Sequence, residues 1–332
     1  MTDYSSETLR VPKNDETARY GAYRTAPLVL AARDAQETPL AAAQLTVPWA
    51  SDPLGDASIA AVEAIESAVT VDLIATFEPQ LMCCAKTDAI GRLLADPDYA
   101  QFDHLPVRSK DRIVGLLPLG EFRAAPIDPL GLTAEGVMHS LDQSILITSG
   151  SSVLRYIEEA TASPCRLVIR DTRIAGIVTI SDLQKLAVRP ALFVLVTHLE
   201  LLMAAAIRAH FRERPDEDWL VQLGDRRDHV EQEWQKLKAS GLEIDLIAAT
   251  QFADKRQILA KSELLQCSRT RAEREFGAIE DLRNGLAHAN NYASTKETAD
   301  KTMEAVKLAR NWIAVLQQTL KAQNNGAYET VG

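Results

Sequence analysis

The sequence is poor in several residue types on which common classes of protein depend. Only four of its 332 residues are cysteine, none forms a C-x-x-C pair, and adjacent Cys83 and Cys84 suit strand packing better than a disulfide. This usage is typical of a reducing compartment. The first ten residues also lack the basic segment and apolar run of a secretory signal. We therefore expect a cytoplasmic protein.

Long uncharged apolar runs and an excess of positive charge are absent as well. The most apolar window, residues 191–211, contains His198, Glu200 and Arg208, so it predicts a buried helix and no membrane partner. The net charge of −10 argues against a general nucleic-acid coat. Residues 191–332 hold 19 Lys and Arg against 21 Asp and Glu, and residues 1–190 hold 17 against 25. The C-terminal part is therefore the better candidate for contact with a polyanion.

The motifs of several enzyme classes are missing. The sequence has no G-x-x-x-x-G-K-[ST] phosphate loop, no G-x-S-x-G nucleophile turn and no set of Asp, Glu and His residues with metal-ligand spacing. With 46% apolar and 25% charged residues, the composition is nevertheless globular. The length is sufficient for two domains with their own cores.

The composition of residues 1–65 predicts an arm and not a folded domain. Residues 1–25 are polar without a period, and residues 26–56 are rich in Ala, Pro and Thr. We expect an extended or partly disordered arm that ends in a short helix from about residue 57 to residue 68. It is either a tail or an arm that packs on a partner subunit.

Residues 66–190 contain a two-fold repeat. In each copy a helix is followed by a short strand, a charged turn, a second strand and a junction that opens another helix. The predicted elements are helix 87–95 with strands 104–108 and 112–117 in the first copy, and helix 151–160 with strands 166–169 and 174–178 in the second.

The junction after the last strand of the second copy carries chemistry. It contains Gly176, Thr179, Ser181 and Asp182 in a G-x-x-[ST]-x-x-D pattern. A Thr hydroxyl and free backbone N–H groups at the start of a helix suit a phosphate, and a carboxylate can accept hydrogen bonds from ribose hydroxyls. Alternatively, Ser181 or Asp182 caps the following helix, and the two roles can coexist.

With the Pro-Val pair at residues 106–107 of the first copy, this repeat resembles a CBS-domain pair. The resemblance implies an α+β module with a regulatory adenosine-containing ligand, such as AMP, ADP, ATP or S-adenosylmethionine. Gly176, Thr179, Ser181 and Asp182 are then the binding residues.

The first copy departs from the family pattern. Pro118 and Glu121 stand where Thr and Asp are expected. Proline supplies neither a hydroxyl nor an N–H. At most one nucleotide site per chain is therefore expected, nearest Thr179 and Asp182.

Residues 191–325 have helical periodicity without a strand signal, and residues 326–332 predict a loose tail. The sequence thus predicts an all-α helical bundle after the α+β repeat. The first predicted helix begins at Pro190, and the second covers residues 216–238. A broken helical stretch at 244–260, a helix capped by Ser268 or Thr270, and a last helix at 295–322 follow.

One end of this bundle collects polar groups. When residues 278–291 are wound as a helix at about 100° per residue, Glu280, Arg283, Asn284 and His288 share one arc. The leucines and the isoleucine of the segment lie on the other side. A solvated face carries Lys and Glu more often than Asn and His.

The Arg-(four residues)-His spacing, with Asn directly after the Arg, resembles the motif of the HEPN family. Those are all-helical domains, and many are metal-independent ribonucleases that act as dimers. The resemblance implies RNA cleavage to 2′,3′-cyclic phosphate ends at a homodimer interface, without a required cofactor, in a toxin or phage-defence effector. His288 would transfer a proton, Arg283 would hold the phosphate, and Asn284 would position substrate or imidazole. Glu280 or Asp281 would orient Arg283 or His288.

Two interpretations of the whole chain stay open. In the first it is an adenine-nucleotide-regulated ribonuclease. In the second it is a non-catalytic nucleotide-sensing regulator or scaffold whose helical domain binds RNA or a partner protein, with Arg283 in a structural ion pair and His288 as a helix cap. Six cations precede the motif: Lys255, Arg256, Lys261, Arg269, Arg271 and Arg274. They form either an electrostatic path that guides a phosphate backbone or a solvated helix face with Glu273 and Glu275 as partners.

Overall fold

The structure is a computed structural model that describes residues 56–124, 131–212, 214, 216–242, 244–288 and 291–329. The predicted arm, up to residue 55, lies outside the described residues. The short helix predicted at its end is present as α1, Asp56–Ala68.

The two repeats form two four-stranded sheets. Their strands are β1 Thr76–Phe77, β2 Cys84–Ala85, β3 Leu105–Ser109, β4 Arg112–Leu117, β5 His139–Ser140, β6 Leu146–Thr148, β7 Cys165–Arg170 and β8 Arg173–Thr179. One sheet has the order β2-β3-β4-β5 and the other β6-β7-β8-β1. In each sheet the first pair is parallel and the other pairs are antiparallel. Strand β1 precedes the first repeat but pairs with β8, so the chain enters the second sheet before it builds the first.

The central hairpins of the two sheets share local details. Each turns through a residue with a φ of +56°, Lys110 in one and Asp171 in the other, and each has a register shift in its first strand. Gly115 and Gly176 occupy equivalent places, where a Cβ would lie 2.7 Å from a carbonyl oxygen of the neighbouring strand. Glycine is therefore required at both places, and the structure confirms the predicted repeat.

The other described residues are largely helical. The α-helices are α2 Ile90–Ala95, α3 Leu119–Ala124, α4 Ala134–Val137, α5 Val153–Glu159, α6 Val188–Arg212, α7 Arg227–Ala239, α8 Phe252–Lys261, α9 Arg269–Ala287 and α10 Lys296–Glu329. Short 3-10 helices cover Val71–Leu73, Pro97–Tyr99, Gln143–Ile145, Ile180–Gln184, Trp219–Arg226 and Ile247–Ala249.

Two predicted helix bounds are wrong. The helix predicted over 216–238 is not continuous, because its first part is the 3-10 stretch Trp219–Arg226, which is kinked at Gly224 with a non-helical φ of +56°, and α7 begins only at Arg227. Helix α10 continues to Glu329, past the predicted end at residue 322 and into the predicted tail.

Helix α6 lies in the core. Among the described residues it is the one helix long and apolar enough to cross a membrane by length and composition, and 61% of its most apolar window is buried inside the protein. Its leucine stripe packs against α10 and the second repeat. This burial matches the predicted core helix.

The second repeat and the helical region share one hydrophobic core, whereas the first repeat has a separate cluster around β3 and β4. An ion-pair network adds to the shared contact. Arg310 of α10 donates to Glu66 of α1 at 2.7 Å and to Glu158 of α5 at 2.9 Å. The second repeat is therefore fixed to the helices by packing and by charge.

Candidate functional site

A cleft of about 820 Å³ lies where the two repeats and the helical region meet. One side is the turn after β8, from Thr179 to Asp182, and a second side comes from residues 80–82, 101–104 and 106. The third side is formed by residues 293–296 at the start of α10. This volume lies within the roughly 300–1,000 Å³ of small-molecule sites.

Gly176, the first residue of the predicted binding motif, is not among the residues that line the cleft. A Cβ at this position would lie 2.6 Å from the Phe77 ring and 2.7 Å from the Thr76 carbonyl oxygen. Both belong to β1, which pairs with β8 at this point. Gly176 thus positions the turn through strand pairing and does not contact the cleft.

The Asp182 carboxylate is buried and is held by the turn itself. Its Oδ2 accepts the Thr179 N–H at 2.7 Å and the Thr179 hydroxyl at 3.1 Å, and its Oδ1 lies 2.8 Å from Lys185 Nζ. Thr179 is the N-cap of the 3-10 helix and Asp182 is its N3 residue in a capping box. Asp182 therefore takes part in capping, but neither Ser181 nor Asp182 is the N-cap residue that the capping alternative assigned. A carboxylate has about four acceptor positions, and one position on Oδ1 is still free for a hydroxyl group. Capping and ligand binding are therefore compatible.

The two hydroxyls of the turn differ in what they offer a ligand. The Thr179 hydroxyl already donates to Asp182, so it presents an acceptor to the cleft and not a donor. The Ser181 side chain is exposed and makes no hydrogen bond within the described residues. Ser181 is therefore the hydroxyl that can donate to a phosphate oxygen without rearrangement.

His104 also lines the cleft, and sequence reasoning did not identify it as a site residue. Burial lowers its pKa below the ordinary value, so the neutral imidazole is favoured near neutral pH. One ring nitrogen then donates and the other accepts. The sequence signal at His104 was only that of a strand start.

The equivalent junction of the first repeat is built differently. Pro118 leads into α3, and neither Pro118 nor Glu121 lines the cleft. Gly120 lies so close to Asp103 that a Cβ would come within 2.8 Å of its carboxylate. The expectation of at most one nucleotide site per chain remains a prediction.

The turn of the second repeat is bonded to the segment that links α9 to α10. Gln184 Nε2 donates to Asn291 Oδ1 at 3.1 Å, and Gln184 Oε1 accepts the Ala293 N–H at 2.9 Å. The buried Tyr292 donates its hydroxyl to the Leu183 carbonyl at 2.8 Å. These bonds place the next residues of the segment at the cleft.

Arg283, Asn284 and His288 form a cluster at the C-terminal end of α9, which we call the helix-end cluster. Helix α9 ends at Ala287 and His288 is its C-cap. Asn284 and His288 are exposed, Arg283 is partly exposed, and Arg283 Nη1 lies 3.4 Å from Asn284 Oδ1. The opposite face is buried, as the helical period predicts: Ile279, Leu282 and Leu286.

Glu280 forms its ion pair with a residue outside the helix-end cluster. Its Oε2 is 3.2 Å from Arg256 Nη1 of α8, so its partner is not the predicted Arg283 or His288. Within the described residues Arg283 has no carboxylate partner. Its guanidinium is thus available for another anion.

The cations that precede the cluster have partners within the protein. Arg269 pairs with Glu273 at 2.7 Å and Arg271 with Glu275 at 2.9 Å, both one helical turn apart. Lys255 is buried against Glu200 at 3.0 Å. The pairs of Arg269 and Arg271 favour the solvated face over the path for a phosphate backbone, and the buried Lys255 belongs to neither.

No family model matches the sequence, and no curated protein matches it. Similar solved structures include the CBS domain of the bacterial CNNM/CorC family Mg²⁺ transporter in complex with ATP, with 17% identity, 40% of this chain and 94% of that chain covered, and a TM-score of 0.32. A hemolysin-like protein containing a CBS domain from Oenococcus oeni PSU has 19% identity, 34% and 86% coverage, and a TM-score of 0.29. A putative acetoin utilization protein from Vibrio cholerae has 15% identity, 34% and 85% coverage, and a TM-score of 0.28. At 15–19% identity and TM-scores of 0.28–0.32, these similarities do not assign a ligand or an activity to this chain.

Proposed function

We propose that this protein is a cytoplasmic nucleotide sensor in which a CBS pair binds one adenine nucleotide per chain. The cleft carries the proposal, because Thr179, Ser181 and Asp182 of the sequence motif line it together. The ligand is AMP, ADP, ATP or S-adenosylmethionine. Its binding regulates the helical region, which shares a core with the second repeat.

The side chains of the cleft have distinct roles in this proposal. Ser181 donates to a phosphate oxygen, and the free acceptor position of Asp182 receives a ribose hydroxyl in a charge-assisted hydrogen bond. Leu81, Met82 and Ile177 supply apolar surface for the base. The polar groups orient the ligand, and the apolar surface removes the base from water.

Calorimetric titration of the full chain with AMP, ADP, ATP and S-adenosylmethionine tests this proposal. Asp182→Asn is expected to weaken binding about ten-fold, because a hydrogen bond to a charged group contributes about 1.5–3 kcal/mol. Ser181→Ala leaves the helix cap intact and separates ligand binding from folding. Glu121→Gln, at the equivalent position of the first repeat, is the matched control and is expected to bind as the wild type does. Absence of binding by the wild type, or equal losses in Asp182→Asn and Glu121→Gln, would contradict the proposal.

The exposed helix-end cluster favours a second candidate function, that of a metal-independent HEPN-type endoribonuclease. In this candidate the helical region is an all-α bundle that dimerises. Arg283 holds two oxygens of the scissile phosphate in a planar fork, and Asn284 positions the substrate. A His288 imidazole takes the 2′-hydroxyl proton, O2′ attacks phosphorus, and the 5′-oxygen leaves with a proton. The products are a 2′,3′-cyclic phosphate and a 5′-hydroxyl.

One imidazole cannot easily serve as base and acid on opposite sides of the same phosphorus atom. A two-fold homodimer supplies a second His288 and a second Arg283 to a composite site. The second candidate therefore depends on dimerisation, whereas nucleotide binding in the cleft does not.

Incubation of RNA with the protein in EDTA, with and without each nucleotide, tests the second candidate. Arg283→Ala and His288→Ala are expected to abolish cleavage. Arg274→Ala is the control, because Arg274 is an exposed arginine on the same helix beside Glu275. Cleavage that persists in His288→Ala, or no cleavage under any condition, removes this candidate. The helical region then acts as a non-catalytic part that binds RNA or a partner protein.

A further inference from the structure

The third side of the cleft comes from outside the repeats. Ser294, Thr295 and Lys296 line it, at the point where the link after α9 enters α10. Gln184 donates to Asn291 and accepts the Ala293 N–H, and the Leu183 carbonyl accepts the Tyr292 hydroxyl. These bonds hold the segment beside the turn that contains Asp182. The wall is thus attached to the motif that we propose to bind the nucleotide.

Lys296 differs from the other cations near the cleft because it has no carboxylate partner in the described part of the chain. Among the described residues that line the cleft, Asp103 and Asp182 are the carboxylates and Lys296 is the one lysine or arginine. Each carboxylate already has a cation that does not line the cleft, Arg123 at 3.2 Å from Asp103 and Lys185 at 2.8 Å from Asp182. Lys296 is exposed and has no ion pair or hydrogen bond within the described residues. Lys301, five residues further along α10, is in contrast 2.6 Å from Glu297.

We propose that Lys296 is a phosphate-binding residue of the nucleotide site, so that the helical region completes this site. The inference rests on the proposed nucleotide function and names the residue that selects for the phosphate. Arg123 and Lys185 are already paired with Asp103 and Asp182. The ammonium group of Lys296 has no such partner among the described residues, so it can form a charge-assisted hydrogen bond with a phosphate oxygen. A lysine suits the role because it is a point charge with three donors on a flexible stem.

This placement has a consequence for ligand choice. Adenosine carries the base and ribose that the repeats recognise, but it has no group for Lys296. AMP, ADP and ATP have both parts. The wild type is therefore expected to bind the nucleotides more tightly than adenosine, and the difference is expected to shrink when salt screens the lysine.

Calorimetry of the full chain with adenosine, AMP, ATP and inorganic phosphate tests the inference. Lys296→Met is expected to weaken AMP and ATP binding about ten-fold and to leave adenosine binding unchanged. Lys301→Met is the matched control on the same helix and is expected to change neither. Inorganic phosphate shows whether the cation binds the anion without the base, and weak binding that Lys296→Met abolishes supports the inference.

The outcomes separate this inference from the proposed function. Nucleotide binding that depends on Asp182 but is unchanged in Lys296→Met overturns the role of Lys296 and leaves the nucleotide sensor in place. Equal losses for adenosine and AMP in Lys296→Met also overturn it, because the effect is then not on the phosphate. Absence of binding of every adenine compound by the wild type overturns both.

Discussion

The side-chain amide of Gln184 donates a 3.1 Å hydrogen bond to Asn291, 107 residues further along the chain. The same side chain accepts the Ala293 N–H at 2.9 Å. Gln184 lies two residues after Asp182, and Asn291 lies three residues after His288. One glutamine therefore joins the turn of the ligand cleft to the segment between the helix-end cluster and the third wall of the cleft.

Gln184→Ala is expected to separate nucleotide binding from its effect on His288. Gln184 also lines the cleft, but Thr179, Ser181, Asp182 and the Tyr292–Leu183 hydrogen bond are retained, so binding persists while both Gln184 bonds to the linking segment are lost. The measurement is the nucleotide-induced shift of the His288 ring resonance in histidine-labelled protein, assigned with His288→Gln. The wild type is expected to show the shift and Gln184→Ala to lack it.

Gln257→Ala is the control for this experiment. Its side chain donates to the Gln222 carbonyl at 2.6 Å inside the helical region, so it removes a comparable hydrogen bond without touching the link. The same shift in Gln184→Ala and in the wild type would show that this link does not transmit binding.

Gly176→Ala is expected to destabilise the protein by about 1–3 kcal/mol, the usual cost of an extra methyl in a tight contact. The added carbon meets the Phe77 ring at 2.6 Å and the Thr76 carbonyl oxygen at 2.7 Å. Denaturant unfolding monitored by circular dichroism measures the loss. Gly150→Ala is the control, since nothing lies within 4 Å of its added carbon. Equal stability of the two variants would refute the assigned role of Gly176.

Glu66 is expected to make folding stability depend on acid pH. Burial alone raises its pKa, but the neighbouring His198 and the Arg310 guanidinium outweigh burial, so the pKa of Glu66 is below its ordinary value of 4.5. A lowered folded-state pKa adds stability above the unfolded value, and that stability is lost as pH falls through the folded value. The wild type therefore loses unfolding free energy below about pH 4.5, and Glu66→Gln is less stable at neutral pH with a flatter profile in this range.

The control for Glu66 is Glu63→Gln, on the exposed face of the same helix. Unfolding free energies from denaturant titrations between pH 3 and pH 7 distinguish the variants. If the acid dependence of the unfolding free energy is identical in Glu66→Gln and the wild type, the Glu66–Arg310 ion pair does not contribute to it.

Nucleotide binding is expected to saturate at one molecule per chain. Pro118 supplies no hydroxyl and no N–H at the junction where Thr179 stands in the second repeat. Calorimetry or equilibrium dialysis gives the stoichiometry directly. Two equivalent molecules per chain would show that the first junction also binds, and the argument from Pro118 would be wrong.

The parts of the fold that the sequence predicted are those with a long local period. Strands β3, β4, β7 and β8 and the buried face of α9 follow from hydrophobic alternation or from the helical repeat. The two-residue strands β1, β2 and β5 are too short to have a period. They exist because of tertiary pairing, as when Thr76 pairs with Ile177 far along the chain.

The candidate site shows the same division. The motif at Thr179, Ser181 and Asp182 was visible because its residues are neighbours in sequence. His104 and Lys296 were not predicted as cleft residues, since only folding brings them to the motif. Glu280 falls on the predicted arc with Arg283, but α8 presents Arg256 to it, and a single-helix projection does not contain that partner.

Hydrogen–deuterium exchange of the full chain, with and without ATP, tests the central claim most directly. Binding in the cleft predicts slower exchange in peptides covering residues 179–184 and 293–299 together, with no change at residues 118–124. Unchanged exchange in the first two regions at saturating ATP, or slowing confined to residues 118–124, would contradict a nucleotide site between the second repeat and the helical region.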